Sequence, residues 1–398
     1  MKTTSCLAFV LLSALIPMAP AKTPPGALTP AQIKQYERNR KKEEVERKKL
    51  LQKAAQKAKK ITLSMVNVAP VMRPDVDVSE DELEPLQAKA EQGDAAAMVR
   101  LGHYYMMHVE PREANVAKAG KWFKQAAETG DADALAWLGL YMRMTQPKKD
   151  VAEANGFFRE SAEKGSMLGE FFMGLVTERG PEKLEWYEKA AKRGFVPAMH
   201  ALAEAISEYN YYLVPSLKNV CVTPDAQAWG LIAAGHGDFK AYGVLMQEGA
   251  NFAGSEKERP YVDYKKLESY GQKQIELIKT LKYTWYGSNF DCRLMIDRFS
   301  WGGPRAYAYL TAYSDAFMVL YRQKKNEAPF FKKFHDEITK MADAGDRDAM
   351  LVIVKAAKNW SFFFPFAKTP CPFKAEPYES KLKEMAKSDP LIPFLLAK

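Results

Sequence analysis

The chain has 398 residues, four cysteines and a formal net charge of +9. Residues 34–60 hold 12 Lys/Arg against 4 Asp/Glu, and Lys2 supplies one further charge, so the remainder is neutral. The basic character is that of one segment and not of a nucleic-acid-binding domain. Three cysteines after the first few residues, spaced 71 and 79 apart without a local CxxC, exclude a thiolate metal site of ordinary spacing.

Met1-Lys2 precedes an apolar run from Cys6 to Met18, and Ala19-Pro20-Ala21 supplies small residues where a signal peptidase cuts. The run is too short to span a bilayer. Residues 1–21 are therefore expected to be a removed leader, with a periplasmic or secreted protein starting near Lys22 and no transmembrane segment.

Thr29-Pro30-Ala31-Gln32 starts a helix, with Thr as cap and Pro at its first position. Residues 22–66 form a basic charged helical arm. Two readings of residues 34–60 follow: a solvated helix laced with pairs such as Glu43–Arg47 and Glu44–Lys48, or a weak contact with an anionic surface. Its apolar positions are sparse (Ile33, Val45, Leu50, Leu51), which predicts little surface to bury against the rest. Nucleic acid is not expected as a partner, because no aromatic residues interleave the charges beyond Tyr36. Residues 67–79, with two prolines and no helical period, read as a linker. Ser79-Glu80-Asp81-Glu82 is a capping box opening the next helix.

From 80 to 249 one frame recurs. At Gly130 it reads Trp122, Phe123, Ala126 and Ala127 before the glycine, then Asp131, Ala134, Leu138 and Gly139 after it. Gly93, Gly165 and Gly194 repeat it at spacings of 37, 35 and 29 residues, and Gly237 and Gly345 carry it further. Gly302 keeps only its second half. Each copy reads as the end of one helix and the start of the next. Gly closes the first in the left-handed conformation. Asp94, Asp131, Asp238 and Asp346 cap the second. The small residue four after the glycine lets helices approach, and the aromatic of the preceding helix fills the space beside it. Trp122, Phe123, Trp186 and Tyr187 accordingly read as core. Such a hairpin cannot bury its faces alone, so copies stack.

This frame resembles the Sel-like repeat family, relatives of the tetratricopeptide repeats, above all in Ala126-Ala127-Glu128-Thr129-Gly130-Asp131, Leu138-Gly139-Leu140-Tyr141 and Lys189-Ala190-Ala191-Lys192-Arg193-Gly194. The resemblance implies an all-α fold: an α/α superhelical solenoid of stacked helical hairpins that binds a protein or peptide on its concave face. The family's Gly-x-Gly turns are replaced by His108-Val109-Glu110-Pro111, Thr145-Gln146-Pro147-Lys148 and Arg179-Gly180-Pro181, so turn-borne contacts do not carry over.

After Ala205 the frame is interrupted by an insertion from Asn210 to Val222, and a further loop covers 250–260. Residues 250–398 read as divergent helical repeats and a C-terminal cap, with helices near 262–282, 304–325, 329–343 and 346–359. Phe362-Phe363-Phe364-Pro365-Phe366 is expected to fold over the end of the stack as a hydrophobic cap. Among Cys221, Cys292 and Cys371 one disulfide is compatible with export, the pair being open.

No HExxH, GxSxG or phosphate-binding glycine loop occurs, and no catalytic, cofactor-binding or metal-ligating set is assigned. His103, two positions after a repeat leucine, reads as helix surface. The function expected is an exported, non-enzymatic interaction scaffold of a bacterial envelope. The alternative is a cell-wall or amide-hydrolysing enzyme in the aromatic-rich C-terminal half, which would need two carboxylates or a Ser/Lys pair converging in one cleft.

Overall fold

Six glycines, Gly93, Gly130, Gly165, Gly194, Gly237 and Gly345, hold φ between 83° and 99° in the computed structural model. It describes residues 30–65, 78, 80–107, 112–145, 151–214, 217, 222–250, 263–280, 304–387 and 392. At each of the six a helix ends because only glycine takes this conformation without strain. The backbone closes the end in paired bonds: Gly93 N–H to Ala90 C=O and Asp94 N–H to Lys89 C=O, and likewise at Gly165, Gly194, Gly237 and Gly345. The next helix starts within two residues. The expected caps are in place: Asp94, Asp131 and Asp346 accept from the N–H groups of Ala97, Ala134 and Ala349 at 3.0, 2.7 and 3.0 Å. Asp238 accepts from Lys240 and Ala241.

Sixteen helices result among the described residues: α1 (Pro30–Ser64), α2 (Glu80–Glu91), α3 (Ala95–Met107), α4 (Arg112–Glu128), α5 (Ala132–Thr145), α6 (Val151–Glu163), α7 (Met167–Val176), α8 (Pro181–Lys192), α9 (Val196–Leu213), α10 (Pro224–Gly235), α11 (Phe239–Ala250), α12 (Tyr264–Thr280), α13 (Pro304–Arg322), α14 (Ala328–Asp343), α15 (Arg347–Phe363) and α16 (Glu376–Met385). From α3 to α13 each packs on the one before it, giving the expected all-α stack of hairpins. The insertion expected from Asn210 begins later: α9 runs through Asn210–Leu213. The decayed copy at Gly302, the leader, and the 251–260 loop lie outside the described residues.

Close approach between neighbouring helices is built from a glycine and a ring. The ring covers the glycine nine after the joint, and it comes from the following helix. A Cβ added at Gly102 would lie 2.7 Å from Phe123, at Gly139 2.8 Å from Phe158, and at Gly174 2.5 Å from Tyr187. Those three rings are buried, as their repeat positions predicted, while Trp122 and Trp186 beside two of them are half-buried. At the fourth hairpin Ala203 stands in the glycine's place and Gly230 in the ring's. The aromatic shifts to Trp229, which is fully buried.

A second core under the C-terminal half gathers Tyr313, Phe317, Phe331, Phe334 and Phe364, all at most 2% exposed. Phe363, the last residue of α15, and Phe364 are buried within it. Helix α16 escaped the sequence reading because only one of its residues, Leu382, is buried, too few to show a period.

The glycine–ring contacts predict opposite signs for two alanine substitutions. Gly174→Ala should destabilise by about 1–3 kcal/mol, because its methyl overlaps a ring in a packed core. Gly156→Ala, mid-helix with open space where its Cβ would be, should stabilise by up to about 1 kcal/mol through helix propensity. Urea unfolding of the two variants checks both signs.

Candidate interaction surface

The odd-numbered helices of the first half pack on their own kind as well as on their hairpin partners: α3 on α5, α5 on α7, α9 on α11. Closer spacing puts this layer on the inner side of the stack. It offers little to a partner there. Every residue from Ala134 to Leu140 in α5, and from Leu168 to Gly174 in α7, is buried. His103, expected at the surface, is 1% exposed between the rings of Phe123 and Trp137, with centroids 5.1 and 4.1 Å away. Burial lowers its pKa to about 3.

Open surface lies instead along the edge that carries the hairpin turns. A groove of about 690 Å³ runs between α6 and the α7–α8 turn, lined by Asn155, Gly156 and Arg159 on one wall and Val176 to Glu182 on the other. Its walls are fixed by local bonds. Asn155 Oδ1 accepts from Arg143 at 2.9 Å, and the Thr177 hydroxyl donates to Met173 C=O at 2.7 Å. Lys183 Nζ donates to the carbonyls of Leu175 and Thr177 at the end of α7, where a cation complements the helix dipole. Arg179 carries the groove onward: it pairs with Glu208 at 3.4 Å and its guanidinium lies 4.2 Å from the centre of the Tyr212 ring. Tyr212 and Leu213 are 45% and 51% exposed.

The arm was expected to bury little, and this is the main departure. Helix α1 lies along α10, and Ile61 and Met65 enter the array's core with Ala58 packed against it. Lys57 pairs with Glu188 of α8 at 3.6 Å. The buried or half-buried positions Leu51, Ala54, Ala58, Ile61 and Met65 follow a three–four spacing that keeps one face on the partner. Three of the four arm residues singled out as apolar lie upstream of this face or beside it, and alanines supply much of it. The matching signal was in α10 itself. Its sequence, PDAQAWGLIAAG, has no charge after Asp225 and no polar face, so a neighbour has to cover it on each side.

The C-terminal half brings two carboxylates together, but on a lysine. Lys279 of α12 bonds Glu276 at 3.0 Å and Glu337 of α14 at 3.3 Å, and the Tyr313 hydroxyl donates to Glu337. The Lys279 bond holds the Glu276 carboxyl below the usual carboxylate range. Nearby, Asp315 of α13 bonds Gln274 of α12 at 3.3 Å beside Gly243 of α11. Burial pushes its carboxyl up to about 7. Among the described residues no group of three His, Cys, Asp or Glu side chains is placed to hold a metal, and no helix is long and apolar enough to cross a membrane. Cys221 and Cys292 lie outside the described residues. The Cys371 thiol is half-buried, 3.7 Å from the Ala356 carbonyl.

No family model and no curated protein matches the sequence. Solved structures do. A Sel1 repeat protein from Oxalobacter formigenes is 21% identical, with 50% of this chain and 87% of that one covered and a TM-score of 0.36. A protective antigen of uropathogenic Escherichia coli strains, described as displaying an SLR fold, is 20% identical, with 78% of this chain and 65% of that one covered and a TM-score of 0.35.

Two predictions follow from these contacts. Ile61→Ala should cost about 2–4 kcal/mol of stability, read as a lowered midpoint in thermal or urea unfolding; an exposed, freely solvated arm would leave it unchanged. Stability should also depend on pH, through groups that act with opposite sign. His103 binds a proton only in the unfolded chain between its ordinary 6.5 and about 3, so stability drops as pH falls through that window. Asp315 holds its proton to about 7 in the folded chain, against 3.8 unfolded, so stability drops as pH rises from 3.8 to 7. His200, raised mainly by Asp238 against its desolvation, adds to the loss above 6.5. Between about 3.8 and 6.5 the His103 and Asp315 slopes oppose each other, so His103→Leu should leave stability falling as pH rises there and Asp315→Asn should leave it rising, each change of slope at most about 1.4 kcal/mol per pH unit.

Proposed function

We propose that this protein is an exported interaction scaffold of a bacterial envelope, holding a protein or peptide partner on its repeat array and making a second, electrostatic contact through its basic arm. One observation carries the first part: a rigid groove at the turn edge leads, by way of Arg179, onto two large exposed side chains, Tyr212 and Leu213. Aromatic residues and arginine are the types that concentrate binding energy at interfaces. The turn edge, rather than the concave face implied by the family resemblance, is the surface we assign, because the inner helices have no exposed stretch over α5 and α7. Export rests on the leader-like residues 1–21.

The hydrolase alternative requires two carboxylates with different proton affinities beside one substrate bond. The pair that converges here is bridged by Lys279, and Glu276 is shifted toward the charged form, opposite to a general acid. That arrangement suits a structural tie between α12, α13 and α14.

The groove reading is checked by affinity capture from envelope extract with wild-type protein and with the Arg179→Glu, Tyr212→Ala, Leu213→Ala triple variant. The triple should weaken retention of the captured partner at least tenfold. Leu231→Ala, which truncates an exposed leucine on α10, should not. Equal capture by all three proteins would place the binding surface elsewhere.

A further inference from the structure

Docking of α1 fixes its rotation, and with it which charges face away from the array. The seam of Leu51, Ala54, Ala58, Ile61 and Met65 defines the inward direction. At about 100° per residue, Lys34, Arg38, Lys42, Lys49, Lys53 and Lys60 fall within about 60° of the opposite direction. All six are exposed. The segment's four glutamates, Glu37, Glu43, Glu44 and Glu46, lie at least about 80° from that direction by the same count. A helix whose composition reads as mixed charge therefore presents a one-sign ridge about 40 Å long, at about 1.5 Å per residue.

We infer that this ridge is a docking surface for an anionic lipid bilayer. The inference rests on the electrostatic contact proposed above and names its face and its partner. Three features favour a membrane over a soluble polyanion. The ridge is straight and convex, so it meets a flat surface along its whole length and offers no cleft to a flexible chain. It is nearly all lysine, a point charge on a long stem, with Arg38 as its one arginine fork for a phosphate. No aromatic residue occurs from Glu37 to Lys60 on which a base could stack. Val45, 53% exposed, is the one apolar residue on this face, so the contact is electrostatic adsorption without insertion. The rest of the chain being neutral, this ridge sets the orientation in which the array approaches the surface.

The test is co-sedimentation of the full chain with vesicles of phosphatidylcholine and phosphatidylglycerol in equal parts. Phosphatidylcholine vesicles correct for the apolar leader. Each lysine near such a surface is worth roughly a fivefold change in partitioning, so Lys42→Gln, Lys49→Gln, Lys53→Gln together should lower binding roughly a hundredfold. The same three positions changed to Arg should retain it. Lys121→Gln, Lys124→Gln, Lys374→Gln removes equal charge from exposed sites on the array and should change binding less than about twofold. Equal losses in the two Gln triples, or no loss in the first, would overturn the ridge. Tighter binding to soluble polyphosphate than to vesicles would overturn the membrane as its partner. The groove triple should leave vesicle binding intact, so failure of the array's partner site and failure of the ridge are read separately.

Discussion

Neighbouring helices in the array pass so close that one of them can carry no side chain at the crossing. Gly102, Gly139 and Gly174 each leave a methyl-sized space that the ring of the next helix fills completely. The joint glycines set the other half of the geometry. A residue held near φ 90° turns the chain back within one step, and the Asp or Ser after it starts the next helix at once. Hairpin angle and hairpin spacing are thus fixed by backbone conformation and by one ring per crossing. The buried polar groups then follow. Ser161 can sit fully buried because its hydroxyl reaches the Ala132 carbonyl at 2.6 Å. Asp238 can because it serves a helix start with one oxygen and pairs with His200 at 3.4 Å with the other.

The glycine joints and their caps were readable from the sequence because each is local. A Gly-Asp pair after a small-residue helix end specifies its own conformation, whatever lies around it. What escaped depended on partners distant in the chain. His103 lies between the rings of Phe123 and Trp137, which come from the two following helices. The contact of a ring with the glycine nine after the joint was missed because only the crossing point of two helices shows which small residue a ring of the next helix covers. Helix α16 fully buries only Leu382 and therefore shows no period.

The arm was hidden for a different reason. Counting large apolar residues undervalues Ala54 and Ala58, whose small size lets two helix backbones approach and whose contribution is proximity rather than area. The compensating evidence was on the other side of the contact, in a twelve-residue helix, α10, with no polar face. A helix that is apolar all round predicts an unidentified neighbour, and the only long helix not already placed by the repeat was the arm.

The two early readings of the arm, solvated rod or electrostatic contact, cease to be alternatives once it is docked. Glu44 and Lys48 do pair, at 3.5 Å, and both are well exposed, so that pair adds little to stability. Its position matters more than its energy. The glutamates stand on the flanks and the inner side, where they offset the cations nearest the array, and the outward cations keep their charge for a partner. A free helix would rotate and average this asymmetry away. Packing of Ile61 and Met65 prevents that, so hydrophobic burial at one end of the helix determines the electrostatic face along its length. The same seam that stabilises the fold thereby decides what the arm can bind.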